Sequence, residues 1–199
     1  MATINLFGAS GHAKVIKDII EANGDQVGCL YDDAPHCDEI NGRPVFKATQ
    51  AEVEGPLIIS IGSNKVRRLI ARKYPLQYVK AVHPRSIISP SAKIGDGSVV
   101  MQGAIIQSDT KIGKHCIINT GASVDHECVI GDFAHISPHA TLCGNVHVGE
   151  GTWIGAGTTV IPGVKIGKWC VIGAGSVVIH DIPDNTTVVG NPCKRILNK

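Results

Sequence analysis

Asp125-His126-Glu127 places an imidazole between two carboxylates. Imidazole has the pKa to take a proton from a weak nucleophile near neutral pH. A neighbouring carboxylate can hold its tautomer and stabilise the imidazolium. Asp125 or Glu127 can fill that role, and a plain polar corner is the competing reading. A second group of residues lies near the N-terminus. Gly8-Ala9-Ser10-Gly11-His12 follows the apolar run Ile4–Phe7, so its backbone N–H groups can meet phosphate oxygens at a helix start. The full G-x-G-x-x-G pattern is absent, which disfavours a nicotinamide dinucleotide. Asp32-Asp33 follows a second apolar run about 20 residues later, where an acid meets a ribose hydroxyl. Gly62-Ser63-Asn64 fits a neighbouring strand end or a helix N-cap, and the two roles are compatible. Of the nine His, five fall between His115 and His147, yet no two in the chain are spaced by 18 or 36 residues. Zinc needs three convergent ligands and an open position, so no metal is expected.

The elements that must carry these residues divide the chain in two. From Ile88, every sixth residue to Val178 is aliphatic, and from Ala92 every sixth residue to Ser176 is small. A period of six fits neither a helix nor a heptad. It fits short strands and turns stacked in a parallel β-helix, three hexads to a triangular coil of 18 residues and five coils between residues 88 and 177. The residue after the aliphatic is often Gly (Gly95, Gly113, Gly131, Gly149, Gly155, Gly167, Gly173), with Asn119 and Asp125 at the same position. Those types tolerate left-handed backbone, so these positions read as turns. Residues 1–84 lack the period. Strands are expected at Ile4–Phe7, Val27–Tyr31, Pro44–Phe46 and Leu57–Ile61, with Gln77–Val82 closing the sheet. Helices are expected with Val15, Ile16, Ile19 and Ile20 on one apolar face and Val66, Leu69 and Ile70 on the other. The reading is an α/β domain, residues 1–84, then a β-helix, residues 85–199.

The 199 residues carry 19 Lys+Arg against 17 Asp+Glu, a net charge of +2, which excludes a strongly basic nucleic-acid binder. No apolar stretch approaches a membrane span and no secretory leader is evident, so no membrane insertion is expected. The seven Cys are odd in number, and Cys116, Cys128 and Cys170 occupy the small position of the hexad. They read as buried thiols in a reducing cytoplasm.

The hexads resemble those of the left-handed β-helix acyltransferases. Together with Gly8–His12, Asp32-Asp33, Ile61–Asn64, His83-Pro84, Ser89–Ala92, Asp125–Cys128, Phe133–His135 and Val189–Pro192 in this order, the chain is similar to the sugar O- and N-acetyltransferase family that includes sialic-acid O-acetyltransferases. Its nearest branch acetylates the 4-amino group of nucleotide-linked 4-amino-4,6-dideoxy sugars. The resemblance implies a Rossmann-like N-terminal domain, a left-handed β-helix, a homotrimer and acetyl-coenzyme A as co-substrate, with the UDP-linked sugar favoured. It makes His126 the general base and Glu127 its partner. It places Gly144 where its N–H meets the thioester oxygen, and His135 at the donor or the sugar. Asn119 fits that pocket or a turn. Gly155, Ala156, Gly173 and Ala174 would border the pantetheine arm, with Lys168, Lys194 or Arg195 at the 3′-phosphate. Gly8, Ser10, Gly11, His12, Asp32, Asp33, Gly62 and Asn64 would hold the nucleotide sugar. The rival readings are a sugar O-acetyltransferase of the sialic-acid type and a non-catalytic trimeric sugar-binding scaffold.

Overall fold

The computed structural model describes residues 1–196. The N-terminal region holds β1 (Thr3–Phe7), α1 (Gly11–Ala22), β2 (Gln26–Asp32), β3 (Glu39–Ile40), β4 (Arg43–Lys47), β5 (Leu57–Ile59) and α2 (Asn64–Lys73). The sheet order is β3-β4-β2-β1-β5, with only the β3–β4 pair antiparallel. Strand order reverses at β1, whose C-terminal end faces that of β5, and this is where such sheets open a crevice. The periodicity expected for α1 holds, with Ile16, Ile19 and Ile20 buried against the sheet. That for α2 does not: Leu69 is 62% exposed, Val66 also faces solvent, and Arg67 is buried beside Ile70.

Residues 77–82 divide between the two regions rather than closing the sheet. Tyr78 bridges Leu57, whereas β6 (Ala81–Val82) pairs with Val99–Val100 and starts one wall of the β-helix. From Ile87–Ile88 to Val177–Val178 a two-residue strand recurs every six residues. Each pairs in parallel with the strand 18 residues away, as in Ile106 with Val124 and Val124 with Leu142. Three sheets result, closed at the far end by Thr187–Val189 and an antiparallel Lys194–Arg195. The aliphatic residues fill the interior together with Ala104, Cys116, Ala122, Cys128, Ala134 and Ala140.

The polar members of the small position are buried but paired. The Ser98, Thr110, Thr152 and Thr158 hydroxyls donate to the carbonyls of Gly113, Asp125, Gly167 and Gly173 at 2.6–3.1 Å. Three of these hydroxyls also accept the backbone N–H one coil on, from Cys116, Cys128 and Cys170. Buried hydroxyls thus keep their partners, and all seven Cys are free thiols.

The turn glycines play a different part from the one expected. Positive φ falls two residues later in the hexad, at Gly97, Gly103, Asp109, His115, Gly121, Glu127, Phe133, His139, Asn145, Gly151, Gly157, Gly163, Trp169 and Gly175. Gly95, Gly113, Gly131, Gly149, Gly155, Gly167 and Gly173, with Asn119 and Asp125, are not left-handed. Gly149 is needed for space: a Cβ there would lie 2.5 Å from the backbone of Gly167 and Lys168 in the next coil. Gly149→Ala should therefore cost about 2–3 kcal/mol through overpacking. Gly157→Ala, in open space but left-handed, should cost about 1 kcal/mol. Equilibrium denaturation of the two variants checks this order.

Candidate active site

His126 and Glu127 stand at the corner between the strands Ser123–Val124 and Val129–Ile130. Imidazole Nδ1 lies 3.1 Å from Glu127 Oε2, and both side chains are exposed. An ionised carboxylate only accepts, so Nδ1 carries the proton and Nε2 keeps its lone pair. Glu127 reaches this position from left-handed backbone, φ 58°. Asp125 does other work: its carboxylate accepts the His126 backbone N–H at 2.7 Å and caps the corner. One coil on, Gly144 lies under the ring, where a Cβ would come within 2.5 Å of His126 Cε1 and Nε2. The Gly144 N–H has no acceptor among the described residues.

His135 projects from another wall, in the strand His135–Ile136. Its Nε2 lies 3.0 Å from Asn119 Nδ2, while Asn119 Oδ1 accepts from Thr120 N. The amide therefore donates to Nε2, and His135 carries its proton on Nδ1. Asn119 is thus a side-chain partner of His135 and no left-handed turn residue. The His135 ring stacks on Trp153, with centroids 6.0 Å apart. Burial, then the Arg67 and His12 charges, push the His135 pKa down to about 3. His12, near the start of α1, is pushed down to about 4 by burial and by Arg67. Its buried Nε2 has no partner among the described residues.

His135 opens into a cleft of about 470 Å³ between the two regions, walled by Gly62, Ser63, Asn64, Lys65, Trp153 and Trp169. Ser63 also caps α2, accepting from Val66 N. Gly8, at φ 114°, admits the segment just after β5, since a Cβ would lie 2.9 Å from Ser60 O. Ser10 and Gly11 line a separate cleft of about 350 Å³ with Lys14, Cys37 and Glu39. Asp32 binds the amides of Ala9 and Ala34 at 2.8 and 2.9 Å and so braces the turn after β1. Asp33 is exposed and pairs with Lys73.

The far coils leave less room than small residues suggest. The space beside Gly155 is filled by the Gly173–Ala174 backbone, and that beside Gly173 by Val189. Ala156 and Ala174 face outward, and Lys194 lies exposed in the closing strand pair. No cluster of three or more metal-ligating side chains occurs among the described residues.

Sequence reasoning missed Arg67, Lys65 and the two Trp residues. Arg67 sits three residues before Ile70 and shares its helix face, but its charge argued for solvent. Trp169 falls on the 18-residue series Gly97, His115, Phe133, Gly151, and the aromatic members of that series were the available signal.

A parallel β-helix of hexads behind a four-stranded parallel α/β sheet, with an imidazole–carboxylate pair at one coil corner, defines a hexapeptide-repeat transferase fold. Residues 3–74 match the PglD N-terminal domain model. Residues 109–144 and 145–180 match the bacterial transferase hexapeptide (six repeats) model. A variant of perosamine N-acetyltransferase from Caulobacter crescentus, in complex with CoA and GDP-perosamine, superposes with a TM-score of 0.92 at 36% identity, covering 100% of this chain and 98% of that one. The acetyltransferase domain of PglB from Neisseria gonorrhoeae, in complex with acetyl coenzyme A, gives 0.88 at 35% identity, covering 98% of each chain. UDP-N-acetylbacillosamine N-acetyltransferase of Bacillus subtilis (strain 168) is 41% identical over 112 residues, 51% of this chain. That match spans about half of the curated relative's length, 52%. The chain belongs to this family of hexapeptide-repeat, acetyl-CoA-dependent sugar N-acetyltransferases.

The three buried imidazoles make stability depend on pH. His12 and His115 titrate at about 4 and His135 at about 3 in the folded protein, against about 6.5 when unfolded. Their folded pKa values are lowered, so the unfolded chain binds more protons below pH 6.5 and stability falls with pH. The loss at pH 5 should be on the order of 1 kcal/mol per imidazole, after allowing for their partial contact with water. Denaturant midpoints at pH 7 and pH 5 measure it.

Proposed function

We propose that the protein moves the acetyl group of acetyl-CoA to the 4-amino group of a nucleotide-linked 4-amino-4,6-dideoxysugar, with the UDP-linked sugar favoured. The observation that carries this reading is the His126–Glu127 pair seated over Gly144, in a chain that matches relatives of this chemistry along its whole length. The amine nitrogen attacks the thioester carbonyl carbon in a ternary complex. His126 Nε2 takes the amine proton, and Glu127 stabilises the imidazolium. The Gly144 N–H donates to the carbonyl oxygen as charge develops. The C–S bond breaks, and the coenzyme A thiolate leaves with the proton returned from His126.

Gly8, Ser10, Gly11, His12, Asp33, Gly62 and Asn64 border the nucleotide-sugar side in this reading, and Asp32 shapes it by holding the turn. His135 and Asn119 line the donor side, with Gly155, Ala156, Gly173, Ala174 and Lys194 further along the coenzyme. His126 and the His135 cleft belong to different walls of one β-helix. A homotrimer would bring one protomer's corner to its neighbour's cleft, and we read the protein as such a trimer. Seven free thiols agree with a reducing cytoplasm.

Thiol release from acetyl-CoA, measured against UDP-linked and GDP-linked 4-amino-6-deoxy sugars and sialic acid, tests the reading. Turnover of a nucleotide-linked amine is expected, and turnover of sialic acid alone would replace the amine with a hydroxyl. His126→Ala should lower kcat by about 10²–10⁴-fold with the fold intact. Gly144→Ala, which drives a methyl into the imidazole, should do nearly the same. A His126→Ala protein as active as the parent would remove the proposed base.

A further inference from the structure

Arg67 is 1% exposed and no carboxylate pairs with it among the described residues. Its guanidinium instead makes five hydrogen bonds to neutral oxygens. Nη1 donates to Ile61 O and Gly62 O at 3.0 and 2.8 Å. Nη2 donates to Asn64 Oδ1 and Phe133 O at 2.8 and 2.9 Å, and Nε to His115 O at 3.1 Å. Two acceptors belong to the loop after β5, one to Asn64 where α2 starts, and two to successive coil corners of the β-helix. A buried cation without a counter-ion is costly, and a methionine of similar length would pack there without that cost. The fork does what packing alone does not: it fixes one loop at two points against two coils. Asn64, oriented by Arg67, donates in turn to Gly151 O at 3.0 Å in the next coil.

We infer that Arg67 is a positioning residue, which sets the Gly62–Asn64 loop against the His135 wall so that sugar side and donor side face one cleft. The inference rests on the proposed acetyl transfer for its kinetic consequence, and on the geometry alone for the loop. A lysine keeps the charge but is a single point of three donors and cannot span both coils and the loop. His135 and Asn119 are held by their own coils, so the donor side stays in place when Arg67 is changed.

The test is Arg67→Lys, followed by steady-state kinetics and by amide hydrogen exchange in the ligand-free protein. The KM for the nucleotide-linked sugar should rise about ten-fold or more, as misplacement by an ångström costs such factors. The KM for acetyl-CoA should stay within about two-fold. Exchange at residues 61–64 should quicken while β1 and β5 keep the parent's protection. Arg67→Met removes the charge as well: His12 and His135 should then titrate at higher pH by nitrogen NMR, a change the Lys variant should not show. If Arg67→Met does not fold, the Lys variant decides alone. Unchanged loop exchange in Arg67→Lys, or quickened exchange with both KM values unchanged, overturns the inference. Parent protein that turns over no nucleotide-linked amine overturns the functional reading, while loop exchange still decides the role of Arg67.

Discussion

Every coil of the β-helix must lie a strand spacing, about 4.8 Å, from the next, and the rest of the structure answers to that constraint. It holds an 18-residue register from Ala81 to Val178, and the step shortens to 16 residues only at the closing end, where Ile182 and Thr187 pair with Ile166 and Val171. It leaves no room for side chains where backbone meets backbone, and so Gly149 and its counterparts recur. It leaves the Ser98, Thr110 and Thr152 hydroxyls within reach of both the carbonyl 15 residues on and the N–H 18 residues on, so they are buried with their bonds made. The site inherits this precision. Gly144 lies under His126 because it is one register step away.

The same repeat builds the surface on which the α/β region rests. Corner residues in left-handed backbone point outward at equal intervals, and His115, Phe133, Gly151 and Trp169 form one such column. The His115 and Phe133 rings stack at 5.1 Å with planes 3° apart, and Tyr78 meets His115 edge-on. Helix α2 reads this column with Asn64, Arg67 and Arg68, which share a face through their i, i+3, i+4 spacing. Asn64 takes the Gly151 carbonyl, Arg67 those of His115 and Phe133, and Arg68 lies 4.2 Å over the Trp169 ring while pairing with Glu150. One helical face thus engages four successive coils.

How much of this could be read from residues follows from what kind of signal each part leaves. The β-helix was legible from Ile88 onward because its rule repeats locally in every hexad. The strands and helices of the α/β region were legible where apolar runs were long, as in β1, β2 and α1. The two-residue β3 left no pattern, and Val66 and Leu69 mimicked a buried face that Arg67 and Ile70 occupy. The glycine argument failed for a physical reason: glycine serves either left-handed backbone or close approach, and composition does not separate the two. His126, Glu127 and Gly144 could be placed together because 18 is the coil. The cleft could not, because it depends on where α2 docks, and docking rests on a buried arginine that composition assigns to solvent.

The imidazoles show how the fold divides one side chain among several uses. His135 has given its Nε2 lone pair to the Asn119 amide and offers only Nδ1–H. His115 is clamped between Phe133 and Tyr78, and its low pKa keeps it neutral. His12 is buried, with burial and Arg67 both opposing its protonation. None of the three can accept a proton and keep it near neutral pH. His126 stands in water, with Nδ1–H held by a carboxylate and the Nε2 lone pair free above a glycine. A proton taken there would be stabilised by Glu127 at 3.1 Å, and the missing Cβ at Gly144 leaves room beneath the ring. In the proposed reaction, proton transfer would therefore fall to the exposed corner and recognition to the cleft.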